Sequence, residues 1–279
     1  MKETRAEHLA VEKLRPFERH PFKVVDNEEM DQLTWSILTQ GLLTPLVVRP
    51  LDNGEYEVIS GHRRLHACKK AGIETVPALI YAIDRDAAAI ALVDSNLQRE
   101  HILPSEKAFA YKLKLEAMNH QGRTSGQVGQ KWTRDEIAEG ESGRQVQRYI
   151  RLTNLIPGIL QKVDEGRIAL TPAVELSYLT DAEQEDLLET MESEDCTPSL
   201  SQAIQMKALS QSGQLDMDTI FHIMTQPKAN QQEKISFKVS ELRDFFPRHY
   251  TAAQMMQEII LAVKERQQRL QRQRNRDAR

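Results

Sequence analysis

The stretch PLVVRPLDNGEYEVISGHRRLHACKKAGIETVPALIY, residues 45–81, decides how the first third of the chain folds. PLVVRP reads as a buried strand, and Asp52-Asn53-Gly54 offers the positive-φ residues that a tight turn demands. Tyr56-Glu57-Val58-Ile59 returns as the second strand of a hairpin. Residues 62–71 then read as a helix stopped by Gly72, and residues 75–81 as a further strand. Short strands alternating with short helices are an α/β or α+β signature.

Working outward, HLAVEKL (residues 8–14) reads as a strand ended by Pro16. Residues 28–40 read as a helix with Met30, Leu33 and Ile37 on one face and Gly41 as its stop. An alanine-rich helix over residues 86–93 closes this region. After Pro104 strand-like alternation disappears for about 130 residues. A helix starting at Pro104-Ser105 carries Phe109, Ala110, Leu113 and Ala117 along one face, and a polar loop over residues 119–130 follows it. Helical pattern continues through Leu160 and over residues 170–179, 184–191 and 200–209. Residues 235–239 read as a strand, Phe245-Phe246 as amphipathic, and the chain from Thr251 as a helix running into an Arg/Gln-rich tail. The fold class is therefore α+β: an α/β domain over 1–103, an all-helical domain over 104–225, a Pro227-containing linker over 226–233, and a small C-terminal α/β unit over 234–279.

A chain of 279 residues with 40% hydrophobic and 28% charged residues is long enough for two or three domains with real cores. No apolar run approaches a membrane span, and MKETRAEHLA lacks a signal-peptide core, so a cytoplasmic protein with no membrane partner is expected. Cys68 and Cys196 are far apart and read as reduced thiols. The net charge of -4 hides a strong pattern. Residues 181–195 hold eight carboxylates and no Lys or Arg, while basic residues gather at 63–70, 144–151 and 264–279. Local fields govern binding, so the acidic total does not exclude DNA.

TRDEIAEGESGRQVQRYIRLTNLIP (residues 133–157) reads as a helix-turn-helix. Thr133 caps a short helix bearing Ile137 and Ala138, Gly140 allows the turn, and Ser142 caps the second helix. On that second helix Val146, Tyr149 and Ile150 share the packing side, while Arg144, Arg148 and Arg151 fall within about 40° of the opposite direction. Arginine reads guanine edges bidentately, and Gln145 or Gln147 suits adenine, so this face fits a major groove of double-stranded DNA. An ordinary solvated helix face is the alternative reading.

ISGHRRLHACKKAG (residues 59–72) places Ser60, Gly61 and His62 at a strand-to-helix junction, followed by Arg63 and Arg64. Unpaired N–H groups at the helix start and guanidinium forks attract phosphate; a solvated basic surface is the competing reading. His62 and His66 are four apart but lack a third ligand, so no metal site is read there.

Three segments in order, GLLTPLVVRP (41–50), SGHRRLHACKKAG (60–72) and DSNLQREHILPSEKAFAY (94–111), resemble the boxes of the ParB family of chromosome and plasmid partition proteins, with the helix-turn-helix downstream. The resemblance implies a ParB/sulfiredoxin-type N-terminal domain that binds CTP, a dimeric clamp on DNA, and a ParA-type ATPase as partner. It implies that Thr44, Gly61, Arg63 and Arg64 face the triphosphate and that Asn96 lies beside it with its Mg²⁺. Two departures stand out: His62 replaces the usual glutamate, and Ser95 the acidic residue before Asn96, with Asp94 one position earlier. Loss of a hard oxygen ligand weakens Mg²⁺ binding and leaves CTP hydrolysis in doubt. The first helix of the motif is also about two residues shorter than in the family. In the family the C-terminal unit forms a homodimer, for which Phe245, Phe246, Tyr250, Met255, Met256, Ile259, Ile260 and Val263 supply apolar material here. The tail 264–279, with seven basic and two acidic residues, suits phosphate contact or a solvated end.

The expectation is a dimeric, sequence-specific DNA-binding protein of the ParB type, associated with a nucleoid or plasmid. A transcriptional repressor with the same helix-turn-helix is the first alternative. An enzyme is the second: a ParB-like nuclease, for which no paired-carboxylate metal site is visible, or a sulfiredoxin-like phosphoryl-transfer enzyme, for which Cys68 would have to be exposed and activated although it lies within a helix.

Overall fold

The computed structural model describes residues 4–99, 101–124, 141–226, 242–247 and 249–277. Strands β1 (Thr4–Ala10), β2 (Leu14–Pro16), β3 (Leu46–Pro50), β4 (Tyr56–Ser60) and β5 (Thr75–Tyr81) form one sheet in the order β1-β5-β3-β4-β2. The sheet is mixed: β1/β5 and β3/β4 are antiparallel, β3/β5 and β2/β4 parallel. Apolar residues fill both faces of the central strands, which is why PLVV and EVIS read as continuous runs rather than alternations. On β4, Val58 joins the core formed with helices α1 (Glu28–Gln40) and α2 (His62–Lys70), whereas its neighbour Ile59 joins the opposite core. That second core is built by α3 (Arg85–Leu97), α4 (Pro104–Thr124) and the strap residues Phe17 and Phe22. The result is a sheet with a helical layer on each face.

The hairpin, α1, α2 and β5 lie where the sequence places them, and Gly41 and Gly72 take positive φ of 74° and 69° after their helices. In the hairpin turn only Gly54 has positive φ; Asn53 instead accepts from the Glu55 N–H through its side chain. Three local expectations are corrected. The first strand begins at Thr4 and ends at Ala10, where a 3-10 turn over Val11–Lys13 buries Val11 and redirects the chain into β2. Helix α4 continues through the positions read as a polar loop as far as Thr124. Phe109 is 42% exposed, while Ala110 and Ala117 face the N-terminal core.

Helix α4 serves two cores, because Ala108 packs into a helical cluster and Tyr111 and Met118 contact Val146. The helical cluster comprises α5 (Gly143–Arg151), α6 (Pro157–Asp164), α7 (Leu170–Leu176), α8 (Asp181–Ser193), α9 (Leu200–Gln211) and α10 (Met217–Thr225). Sequence periodicity missed α10, a short helix with Ile220, Ile223 and Met224 buried. The strap of residues 17–24 joins the sheet domain to this cluster. Lys23 donates its N–H to Glu106 at 2.8 Å and its ammonium to the buried Asp164 at 3.3 Å, and Asp164 also accepts from the Ser105 N–H and hydroxyl.

Gln184 on α8 is fully buried and satisfies three backbone groups: Oε1 accepts from Ile156 N–H, and Nε2 donates to the carbonyls of Asn154 and Leu179. Gln184→Leu leaves all three unpaired in an apolar core. A loss of about 2–4 kcal/mol in urea unfolding is expected; a variant as stable as the parent would refute that role.

Met1–Gln226 form one compact unit and Pro227–Arg279 a second. In the second, a 3-10 turn at Arg243–Phe245 precedes the long helix Ala252–Asp277, Met255 is buried, and the Phe246 and Tyr250 rings stack at 6.1 Å. The sequence-read strand at 235–239, most of the linker, and the first helix of the helix-turn-helix with Thr133, Ile137, Ala138 and Gly140 lie outside the described residues. Among the described residues no helix is long and apolar enough to cross a membrane.

Candidate nucleotide cleft and nucleic-acid interface

The β4–α2 junction forms one wall of a cleft of about 590 Å³. Ser60, Gly61, His62, Arg63 and Arg64 line it from this side, Glu29, Gln32 and Leu33 from α1, and Ser95, Asn96 and Arg99 from the end of α3. Gly61 sits at φ 103° as the N-cap of α2, so the start of this helix, which lacks a side-chain cap, borders the cleft. Seven of the eight sequence-read nucleotide residues thus converge. Thr44 is exposed and not among the lining residues; its carbonyl accepts from Arg64 Nη1 at 2.6 Å, as does that of Pro45 at 2.9 Å.

The cleft is strongly cationic. Arg63 pairs at 3.0 Å with Glu29, but both are exposed, so that pair exchanges readily for a better anion. Arg64 and Arg99 have no carboxylate partner among the described residues, and burial lowers the pKa of both guanidiniums. Two partly desolvated guanidiniums that make no ion pair among the described residues attract an anion, although the charge of Glu106 partly offsets the effect of burial on Arg99. Sequence reading passed over Arg99, two residues past the end of α3, where a turn closed by its N–H donating to the Asn96 carbonyl at 3.1 Å brings it to the cleft.

His62 is engaged elsewhere. Its Nε2 accepts from the Phe17 N–H at 3.2 Å, and its ring lies 3.7 Å from that of His20, tilted by 39°. His20 Nδ1 donates to the Phe22 carbonyl at 2.6 Å, and its Nε2 is buried without a partner among the described residues. His62 therefore ties the strap to the floor of the cleft as a neutral imidazole. Burial, and then the charges of His20 and Arg99, pull its pKa from 6.5 to about 3. Between those values the unfolded chain binds a proton that the folded chain excludes, so stability is full above pH 6.5 and falls as pH drops toward 3. His62→Asn should flatten this slope in urea midpoints recorded from pH 7 down to pH 4, with His20, whose pKa burial also lowers, and, near pH 4, Glu55, whose carboxyl the Arg15 hydrogen bond holds low, contributing to the remainder. An unaltered slope would exclude His62 as the source.

The Mg²⁺ site that the resemblance implies does not fit these side chains. Asp94 is turned onto the buried Lys114 at 2.5 Å, Ser95 donates to the Leu92 carbonyl, and the Asn96 amide nitrogen donates to the same carbonyl. Among the described residues no group of three or more His, Cys, Asp or Glu could hold a metal ion. His66 is held by Asp26 instead of joining His62 as a ligand pair, and Cys68 is fully buried with its thiol pKa raised by burial.

The second basic feature is α5. Ser142 caps it by accepting from Gln145 N–H, and Val146 is fully buried against α4, as the sequence requires. The guanidinium row is not uniform, however. Arg144 is exposed and makes no hydrogen bond or ion pair among the described residues. Arg148 donates to Thr171 at 2.6 Å and to Gln145 at 3.3 Å. Arg151 donates to the Ser177 carbonyl at 2.8 Å and stacks 3.8 Å over the Tyr178 ring. The expectation that all three point freely outward is therefore corrected: Arg151 clamps α5 to the end of α7. None of the three has a carboxylate partner among the described residues.

Within the unit Met1–Gln226, a mixed sheet with an arginine-lined cleft leads through α4 into a helical cluster that carries a capped basic helix. Residues 1–97 match the ParB N-terminal domain family. Over 238 residues the chain is 30% identical to the probable chromosome-partitioning protein ParB of Vibrio cholerae, covering 84% of this chain and 77% of that protein. It is 36% identical over 181 residues to the chromosome-partitioning protein Spo0J of Thermus thermophilus, covering 64% of this chain and 61% of that one. It is also similar to the C-terminally truncated ParB of Caulobacter crescentus in complex with its centromeric parS site (23% identity, TM-score 0.43, 74% of this chain and 99% of that chain). The chain belongs to the ParB family.

Proposed function

We propose that this chain is a sequence-specific DNA-binding protein acting in DNA partition. Its α5 would enter the major groove of double-stranded DNA, and its cleft would hold CTP. What carries the reading is α5 itself: a capped helix with no carboxylate from Gly143 to Arg151, with Arg144 exposed and Gln145 and Gln147 beside it. Similarity to the probable chromosome-partitioning protein of Vibrio cholerae supports partition rather than another use of the same helix.

In this reading residues 1–103 bind nucleotide and 104–225 bind DNA. Residues 226–233 link them to a dimerising unit at 234–279, and CTP closes the homodimer as a clamp. A ParA-type ATPase would be the partner, and the protein would reside in the cytoplasm on a nucleoid or plasmid. DNA pull-down followed by sequencing, with and without CTP, tests it. Discrete enriched sites whose signal extends into flanking DNA with CTP are expected; uniform recovery in both conditions would overturn the assignment.

A further inference from the structure

Three guanidiniums meet at the cleft, and the carboxylates that could hold a divalent cation beside them are missing or committed. Glu29 faces Arg63, Asp94 faces Lys114, and position 95 is a serine whose hydroxyl donates to a backbone carbonyl. A hard cation bound to phosphate normally keeps one or two protein carboxylates as anchors. Here the only lining carboxylate among the described residues is Glu29, exposed and already opposite a guanidinium. Arg64 is anchored by two carbonyls, which leaves part of its fork for an anion, and Arg99 lines the same cleft from the turn after α3. The Arg99 guanidinium also lies 5.5 Å from the Phe22 ring centroid, which steadies its position.

We infer that this cleft binds a nucleoside polyphosphate without a divalent cation, with Arg99 supplying, beside Arg63 and Arg64, the positive charge that a metal ion would bring. The inference rests on the reading of the cleft as a nucleotide site. Arginine suits this task because its charge is permanent and its planar fork matches phosphate oxygens, and no proton or ligand exchange is needed. Adding a metal would place a further strong positive charge among three guanidiniums, with the single exposed Glu29 as the only lining carboxylate among the described residues to hold it.

The test is calorimetric titration of CTP into the full chain, in the presence of DNA recovered by the pull-down, in EDTA and in millimolar Mg²⁺. Dissociation constants that agree within about threefold are expected, and a loss of tenfold or more in EDTA would overturn the inference while leaving the nucleotide reading intact. Removing one charge-assisted contact through Arg99→Gln should weaken binding in EDTA by about 10- to 100-fold, with Arg99→Lys intermediate. Circular dichroism identical to the parent would show that the variants fold. Binding in EDTA that is indifferent to both substitutions would also overturn it. Ser95→Glu should restore a metal dependence, with CTP binding weaker in EDTA than in Mg²⁺. Absence of CTP binding in every buffer would instead remove the nucleotide reading itself.

Discussion

Replacing Arg144 and Arg148 together by alanine is expected to erase the preference for a specific DNA site while leaving weak binding to random duplex. Each bidentate contact to a base edge contributes about 1–3 kcal/mol of discrimination, so losing two should lower the specificity ratio by roughly a hundredfold or more. The two residues are not equivalent. Arg144 has no competing partner among the described residues, and it stands in the first turn after the Ser142 cap, where recognition helices contact bases. Arg148 must exchange its bonds to Thr171 and Gln145 before it reaches a base, which offsets part of what it gains. Arg144→Ala alone should therefore cause most of the loss. Neither substitution touches Val146 or the Ser142 cap, so the melting temperature should hardly move. Anisotropy titrations with cognate and scrambled duplexes at two salt concentrations separate the outcomes. A base-reading pair lowers the specificity ratio, whereas a purely phosphate-contacting pair weakens both duplexes alike and reduces the salt slope by about two. Unchanged discrimination in the double variant would sink the assignment of α5 as the reading helix.

The difference between Arg144 and Arg151 marks where sequence reading stops. Helical angles place both on one face, because they depend only on local geometry. That Arg151 is taken up by Ser177 and Tyr178 depends on how α7 ends, and nothing within residues 143–151 encodes it. The same holds in the cleft. Gly61, Arg63 and Arg64 were legible because a glycine at a strand-to-helix junction and a basic first turn are local signals. His62 was legible as a member of the junction but not as a latch, since its partners Phe17 and His20 lie more than forty residues earlier. The missed 3-10 turn at Val11–Lys13 has a related cause: Val11 is drawn inward and its N–H donates to the Glu74 carbonyl, a tertiary demand that overrides the strand propensity of HLAV. Strong punctuation, by contrast, placed α1, the hairpin and α2 correctly, with Gly41, Gly54 and Gly72 all at positive φ.

Gly61→Ala should disable the cleft by displacing the start of α2 as a whole rather than by removing one contact. At φ 103° an L side chain is strained whatever space surrounds it. The space is also taken: an added Cβ would stand 2.6 Å from Leu46 Cδ2 and 3.0 Å from Arg64 Nη2. Neither neighbour yields easily. Leu46 is fully buried in the core between the sheet and α1/α2, and Arg64 is tethered to the carbonyls of Thr44 and Pro45. Relief must come from moving the start of α2, which carries His62, Arg63 and Arg64 with it. A stability loss of about 2–4 kcal/mol follows from strain and overpacking together. CTP affinity should fall by at least about tenfold, because charge-assisted contacts weaken steeply with displacement. The helical cluster behind α5 has its own core, so specific DNA binding measured well below the melting temperature should persist. That separation makes the result diagnostic: loss of nucleotide with retained DNA recognition locates the nucleotide at the β4–α2 junction. A Gly61→Ala chain that binds CTP as the parent does would place the nucleotide elsewhere and leave the three guanidiniums as surface charge.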